Sequence, residues 1–397
     1  MTAVIPVASR WYRARSDGLR LAVLFCSVLG LTARQTLFLR KRTQAQYDDI
    51  DTAAAAQILI VIVALLALLA NSANLVTVWR RIRGKAAGIA IIYFVFGAVS
   101  AFLSVNVAYS LFRAVECLVM ACAIAVILQG ARSLRQAEVM ALSLAWGALL
   151  FDVIGRAKLG GFRLGSFASN SVSASAAMLA CYCFGEWLAA RGSRRMYLLI
   201  GLGVALCLVI LSLSLASWWA CMGGMMLAGF VLNPGIAGVL MLLVLLLAAI
   251  ALGPAMLDQV VLRDRPMREL STLHGRLFLW QSYWEAFQQH PILGYGYAVG
   301  ARLKSAFYTT HTHNSVLSAL LGGGIVGAGV FLLAWAAFVL DVVRTRLRRV
   351  IGWSGCAAAI LCGLANSLAF AFIGEGWMPS TVVFFSFLML HALHVSR

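Results

Sequence analysis

The chain has 397 residues, 62% of them hydrophobic and only 12% charged, with a formal net charge of +18. So few charges cannot cover a soluble domain of this length, and the apolar residues fall in long runs close to the ~20 residues that cross a bilayer as a helix. The placement of the positive charge excludes a nucleic-acid binder: arginines gather in short loops between apolar runs, as in the cytoplasmic loops of membrane proteins.

The predicted fold is all-α, a polytopic transmembrane helical bundle forming a single domain over residues 1–397. Backbone polar groups find no water in lipid, so each span must satisfy itself as a helix, and the strand alternation of a barrel is absent. About twelve spans are expected, at 19–38, 53–72, 86–104, 111–130, 137–156, 167–190, 197–214, 217–232, 234–254, 315–340, 351–373 and 379–395. Arg34 interrupts the first, which no small-residue cleavage site follows, so it reads as retained. Threaded alternately, four basic clusters share one side: Arg80, Arg81, Arg83 and Lys85; Arg132 and Arg135; Arg191, Arg194 and Arg195; and Arg344, Arg346, Arg348 and Arg349. That side is the cytoplasm, and both termini join it. Arg40, Lys41 and Arg42 break the pattern by falling in the first outside loop.

In chain order, the first polar feature is Tyr47-Asp48-Asp49-Ile50-Asp51, whose acids suit the N-terminus of the second span. The alternative is an acidic loop used in sugar transfer. Next come Arg156 and Arg163, the latter in Gly161-Phe162-Arg163-Leu164-Gly165, before Ser166, Ser169, Asn170 and Ser171. Those small polar residues either line a water-filled cavity or pack helices. Cys181 and Cys183 form a lone close pair inside an apolar run and read as packing residues, not a metal or disulfide site.

The outside loops are short except for residues 255–314, a long outside loop between spans nine and ten. It begins with Arg263, Arg265 and Arg268, which suit an anion site or lipid headgroups. A helix over 275–289 carries Leu277, Trp280, Trp284 and Phe287 at helical spacing, an amphipathic face for the membrane surface. Arg276 lies on it, with a guanidinium fork suited to phosphate oxygens. His290-Pro291 ends the helix, and Gly294-Tyr295-Gly296-Tyr297 reads as a turn. The loop closes on His311-Thr312-His313-Asn314. A histidine there can take a proton near neutral pH, while Asn314 or Thr312 equally suits a helix cap. A metal site is the weaker reading, because no Cys or carboxylate stands beside the two histidines. No phosphate-binding Gly-rich loop, dinucleotide fingerprint, nucleophile elbow or His-Glu-x-x-His occurs in the chain.

Two stretches resemble a known family. Gly275-Arg276-Leu277-x-x-Trp280 followed by His290-Pro291-Ile292-Leu293-Gly294-Tyr295-Gly296 resembles the arginine helix and His-Pro-Leu-x-Gly-x-Gly turn of the O-antigen ligase and polymerase family of bacterial surface-polysaccharide enzymes. His313-Asn314, then nine residues, then Gly324-Ile325-Val326-Gly327 is similar to that family's His-[Asn/Ser/Gln]-x9-Gly-x-x-Gly pattern. The specific resemblance covers about 55 residues, and the rest agrees in hydropathy and span number.

The resemblance implies a multi-pass glycosyltransferase of the bacterial inner membrane, working on the periplasmic face without metal or cofactor. A glycan carried on undecaprenyl diphosphate would move whole to an acceptor hydroxyl, with membrane lipid around it and no nucleic acid involved. The departing diphosphate needs charge stabilisation, the role implied for Arg276. The acceptor hydroxyl gains from a base, the role implied for His313. An in-line displacement would invert the anomeric centre. His311 and Asn314 would orient base or acceptor, and Arg163, Arg265, Arg268 and Tyr297 are expected to contact substrate.

Many members carry Ser-Arg where the eighth span begins. Here the pair is Ser217-Trp218, which leaves Arg163, Arg113 or Arg40 to substitute. The acceptor is then another lipid-linked repeat unit, the polymerase reading that the missing arginine favours, or the lipid A core, the ligase reading. A lipid-linked glycan transporter is the rival class, but it calls for repeat symmetry between halves. The polar residues of this chain collect on one side of one half instead.

Overall fold

The computed structural model describes residues 7–37, 51–160, 170–212, 214–232, 243, 276–299, 312–344, 353–373 and 376–395. They form an all-α membrane bundle, with no strand among the described residues. The helices are α1 (Val7–Leu37), α2 (Thr52–Ala70), α3 (Ser72–Ile82), α4 (Ala86–Ser100), α5 (Val107–Gln129), α6 (Leu134–Gly160), α7 (Asn170–Ala189), α8 (Ser193–Leu211), α9 (Leu215–Met226, continued as a π-helix over Leu227–Leu232), α10 (Arg276–Gln289), α11 (Ser315–Arg344), α12 (Trp353–Ser367) and α13 (Pro379–Val395). Seven described helices are long and apolar enough to cross a bilayer: Thr52–Ala70, Ala86–Leu103, Val107–Gln129, Leu134–Lys158, Asn170–Ala189, Ser193–Leu211 and Ser315–Arg344. The expected ninth span, 234–254, falls outside the described residues apart from residue 243, as does most of the long loop.

Packing follows from the lipid environment. Lipid is as apolar as leucine, so burying a leucine gains little, and helices associate where small residues let them approach. Accordingly α7, rich in Ala and Ser, is buried from Ser171 through Glu186 and contacts α8, α9, α12 and α13. Several leucines of α2, α8 and α11 point outward instead, among them Leu66, Leu69, Leu199, Leu332 and Leu333. Around the centre, α4 packs on α5 and α11, and α1 on α2 and α6.

The described residues of the basic loops gather at one end of the bundle, where Arg81 donates to Gln129 of α5. There α3 replaces part of the expected loop with a short amphipathic helix that buries Val78 and Ile82 and exposes Arg80 and Arg81. Two carboxylates are buried at the same end, and both are satisfied. Glu138 accepts from Arg194 (2.6 Å), Arg135 (2.7 Å) and the Tyr182 hydroxyl (2.7 Å). Glu186 accepts from Arg194 (2.9 Å) and the Gly355 amide (3.0 Å). The network joins α6, α7, α8 and α12, and such pairing is what makes a buried charge tolerable.

Candidate active site

The other end of the bundle holds the site, and it is organised by α10. One stripe of this helix, Leu279, Tyr283 and Phe287, is buried against Leu317 and Leu321 of α11. Of the face expected to meet the membrane, Leu277 is 44% and Trp284 48% exposed, while Phe287 is shared with the buried stripe. The helix carries two apolar stripes at helical spacing, and periodicity by itself does not choose between them.

Arg276 and Trp280 lie one turn apart beside the buried stripe. Arg276 Nη1 donates to the carbonyl of Ala369 at 3.0 Å, in the connection between α12 and α13. Trp280 Nε1 donates to the carbonyl of Thr312 at 3.0 Å, immediately before His313. One short helix therefore holds two polar segments that are remote in sequence.

His313 sits in a built turn. Its φ is 54°, the left-handed region that few non-glycine residues occupy. Such strain persists only where the surroundings impose it, and it clusters at functional positions. The surroundings here are clear. Buried Thr312 donates its hydroxyl to the Asn314 carbonyl at 2.8 Å. The Asn314 side-chain oxygen accepts from the amides of Val316 (2.9 Å) and Leu317 (3.0 Å), capping α11. Of the two roles open to Asn314, the geometry shows the cap.

The turn after α10 explains both glycine motifs. Gly324 interrupts α11 with φ 60° and ψ −159°, where an unbroken span was expected. The break frees backbone groups, and the turn satisfies them. The Tyr295 and Gly296 amides donate to the Leu321 and Gly322 carbonyls at 2.8 and 3.0 Å, and the Ile325 amide donates to the Pro291 carbonyl at 2.8 Å. The backbones approach so closely that a Cβ on Gly324 would lie 2.2 Å from the Ile292 carbonyl, and one on Gly294 2.5 Å from that of Leu321. Gly327, one turn on, faces Phe96 of α4.

Tyr297 was expected to touch substrate. It is 2% exposed, with its ring edge-on to Tyr93 (5.9 Å) and Phe94 (6.2 Å) of α4 and tight against Gly97. Burial holds its phenol well above the usual tyrosine range, so it stays neutral and acts as the wedge that seats the turn. An apolar cavity lies deeper, lined by Tyr93, Phe94, Trp335, Phe338, Phe384 and Phe385 among others, and its walls offer no group for this chemistry.

Ser217, at the start of α9, is buried and donates to the Asn366 side-chain oxygen of α12 at 2.9 Å, with half-buried Trp218 beside it. The Asn366 carbonyl accepts from Ala369 and Phe370, so the same residue shapes the connection that Arg276 grips. Asp51 caps α2 through the Ala54 amide at 2.9 Å, as its helix-start reading requires. Arg156 is half-buried near the end of α6. His311, Arg163, Arg265 and Arg268, with Arg263, Arg40, Asp48 and Asp49, lie outside the described residues. The structure thus joins Arg276 to the segment bearing His313. Trp280 was legible as an apolar position and as part of the Arg276 motif, but not as a hydrogen-bond donor to Thr312. Among the described residues, no three His, Cys, Asp or Glu side chains cluster as a metal site.

The described helices define a multi-pass membrane bundle in which α10 ties Arg276 to the α12–α13 connection and Trp280 to the residue before His313. Residues 198–332, about a third of the chain, match the family model described as O-antigen ligase. This stretch runs from α8 into α11 and includes Arg276, His313 and Gly324; over it the chain is similar to the O-antigen ligase family, which supports a membrane glycosyltransferase-like role in polysaccharide biosynthesis. No curated protein matches the chain.

Proposed function

We propose that this protein transfers a glycan whole from undecaprenyl diphosphate to an acceptor hydroxyl, on the periplasmic face of the bacterial inner membrane, with inversion and without a metal. The observation that carries the reading is the joining, through α10, of Arg276 to the turn that bears His313. A guanidinium placed for a departing diphosphate and an imidazole placed for an acceptor hydroxyl are the two groups such a displacement needs. His313 takes the acceptor proton as the hydroxyl attacks the anomeric carbon, and the lipid diphosphate leaves with the bonding pair, its charge met by arginine. Arg163, Arg265, Arg268 and His311 are assigned to the substrate by the resemblance, and Asn314 holds the base in place as helix cap.

The test is His313→Ala in membranes supplied with lipid-linked donor. Donor binding should persist while product falls by about 10²–10⁴-fold, the usual worth of a general base. Full product from this variant would remove the assignment. Trp218, standing where the family's arginine is expected, favours a polymerase, whereas the matched family description favours a ligase. Deleting the gene separates them. Loss of a polymerase leaves single repeat units on the acceptor, and loss of a ligase leaves polymer on the carrier.

A further inference from the structure

Two buried polar side chains meet inside the bundle and take no part in the proton or charge steps above. Ser217 stands near the start of α9 and Asn366 in the last turn of α12, and both are buried. The serine hydroxyl donates to the asparagine Oδ1 at 2.9 Å. The Ser214 hydroxyl oxygen, at the N-cap of α9, lies 3.3 Å from that of Ser217 and carries the polar line to the helix end. Around the pair α9 and α12 are tightly packed. A Cβ on Gly224 of α9 would lie 3.1 Å from both the Ala358 carbonyl and the Cys362 Cβ of α12.

Stability gives little reason for such a pair. A hydrogen bond between helices is a small stabiliser inside a bilayer, and apolar groups of the same shape replace both of its partners at little cost. What the bond adds is a fixed register between the start of α9 and the end of α12.

That register leads to Arg276. The Asn366 carbonyl accepts from the amides of Ala369 (3.0 Å) and Phe370 (2.9 Å), so the chain leaving α12 is folded back onto this residue. A helix leaves its last carbonyls without partners of its own. The Ala369 carbonyl, just past the end, is the one that Arg276 Nη1 takes at 3.0 Å. The path from α9 to the guanidinium is therefore short: a side-chain bond from Ser217 to Asn366, two backbone bonds on to Ala369 and Phe370, and a last bond to Arg276.

We propose that Asn366 is a positioning residue of the site, setting where Arg276 stands by tying the end of α12 to Ser217 of α9. The assignment rests on the reading that Arg276 meets the departing diphosphate. It also gives Ser217 a role that does not need the arginine absent at Trp218: the serine anchors the connection that holds Arg276.

The experiment labels the full-length protein in detergent with phenylglyoxal, which adds to guanidinium groups. Each arginine is followed by mass spectrometry, beside transfer kinetics. Asn366→Ala should speed the labelling of Arg276 severalfold, while Arg113 and Arg194, each with a side chain 21% exposed, label as in the wild type. Its kcat should fall about tenfold, because a displaced group is costly in transfer, and its donor KM should hold. Ser217→Ala should move both readouts the same way. The two substitutions together should do no more than Asn366→Ala alone, as partners in one bond do. Faster labelling of all three arginines with a lower melting temperature would show general loosening and overturn the proposal. Labelling of Arg276 at the wild-type rate, or faster labelling with kcat unchanged, overturns it too. If Asn366→Ala does not survive extraction, Ser217→Ala, which removes one hydroxyl, decides on the same readouts. An Arg276→Ala variant that transfers glycan at the wild-type rate would instead refute the underlying reading of Arg276.

Discussion

Arg276 and Trp280 stand one helical turn apart, and each donates one hydrogen bond to a backbone carbonyl, of Ala369 and of Thr312, at 3.0 Å. The arginine is thereby anchored to the α12–α13 connection and the indole to the residue before His313. A short helix with few tertiary partners sets the spacing between the proposed charge stabiliser and the proposed base.

Replacing Trp280 with Phe keeps most of the ring and removes the donor. The Thr312 carbonyl then loses its partner, at a cost of about 1 kcal/mol. Transfer should fall about tenfold or more, because a small misplacement of a base is expensive, while donor affinity changes little. Transfer at wild-type rate would show that the indole bond does not position His313.

Gly324→Ala tests the docked turn. The substitution puts a Cβ at φ 60° and 2.2 Å from the Ile292 carbonyl. Strain alone costs on the order of 1–3 kcal/mol, and the clash forces the turn off α11. The expected outcome is a lower melting temperature together with faster proteolysis within residues 290–299. Gly327→Ala, which meets the Phe96 ring and, at ordinary contact, the Ala319 carbonyl but none of the turn, should keep the turn protected.

Asn314 separates capping from substrate contact. Asn314→Asp and Asn314→Ser keep a capping oxygen and should retain activity, whereas Asn314→Ala should lose about 1 kcal/mol of stability. Kinetics of the Ser variant are decisive: a large fall in kcat with stability intact would mean that the amide itself serves the reaction.

The charge network at the basic end should govern stability without touching chemistry. Arg194→Ala leaves Glu138 and Glu186 buried with their shared cation gone, and breaking such a pair costs about 3–5 kcal/mol. Thermal unfolding in detergent should drop sharply. The donor KM of the folded fraction should not change, and a shift in KM would reveal coupling between the two ends.

Legible in the sequence were the all-α membrane class, the described helices to within a few residues at most ends, and the Asp51 cap. These are local properties. Hydropathy over twenty residues, a capping side chain and a short motif are all read within one segment. Tertiary structure decided the rest, because it rests on pairings between distant segments. Arg276 meets a carbonyl 93 residues away, and Ser217 meets Asn366 across 149 residues. Which stripe of α10 is buried depends on where Leu317 and Leu321 lie. Gly324 breaks α11 because the turn from Pro291 to Gly296 supplies substitute hydrogen bonds, which α11's own residues do not reveal. Tyr297, polar enough in sequence to suggest a substrate contact, is a buried wedge because Gly97 on α4 leaves room for its ring.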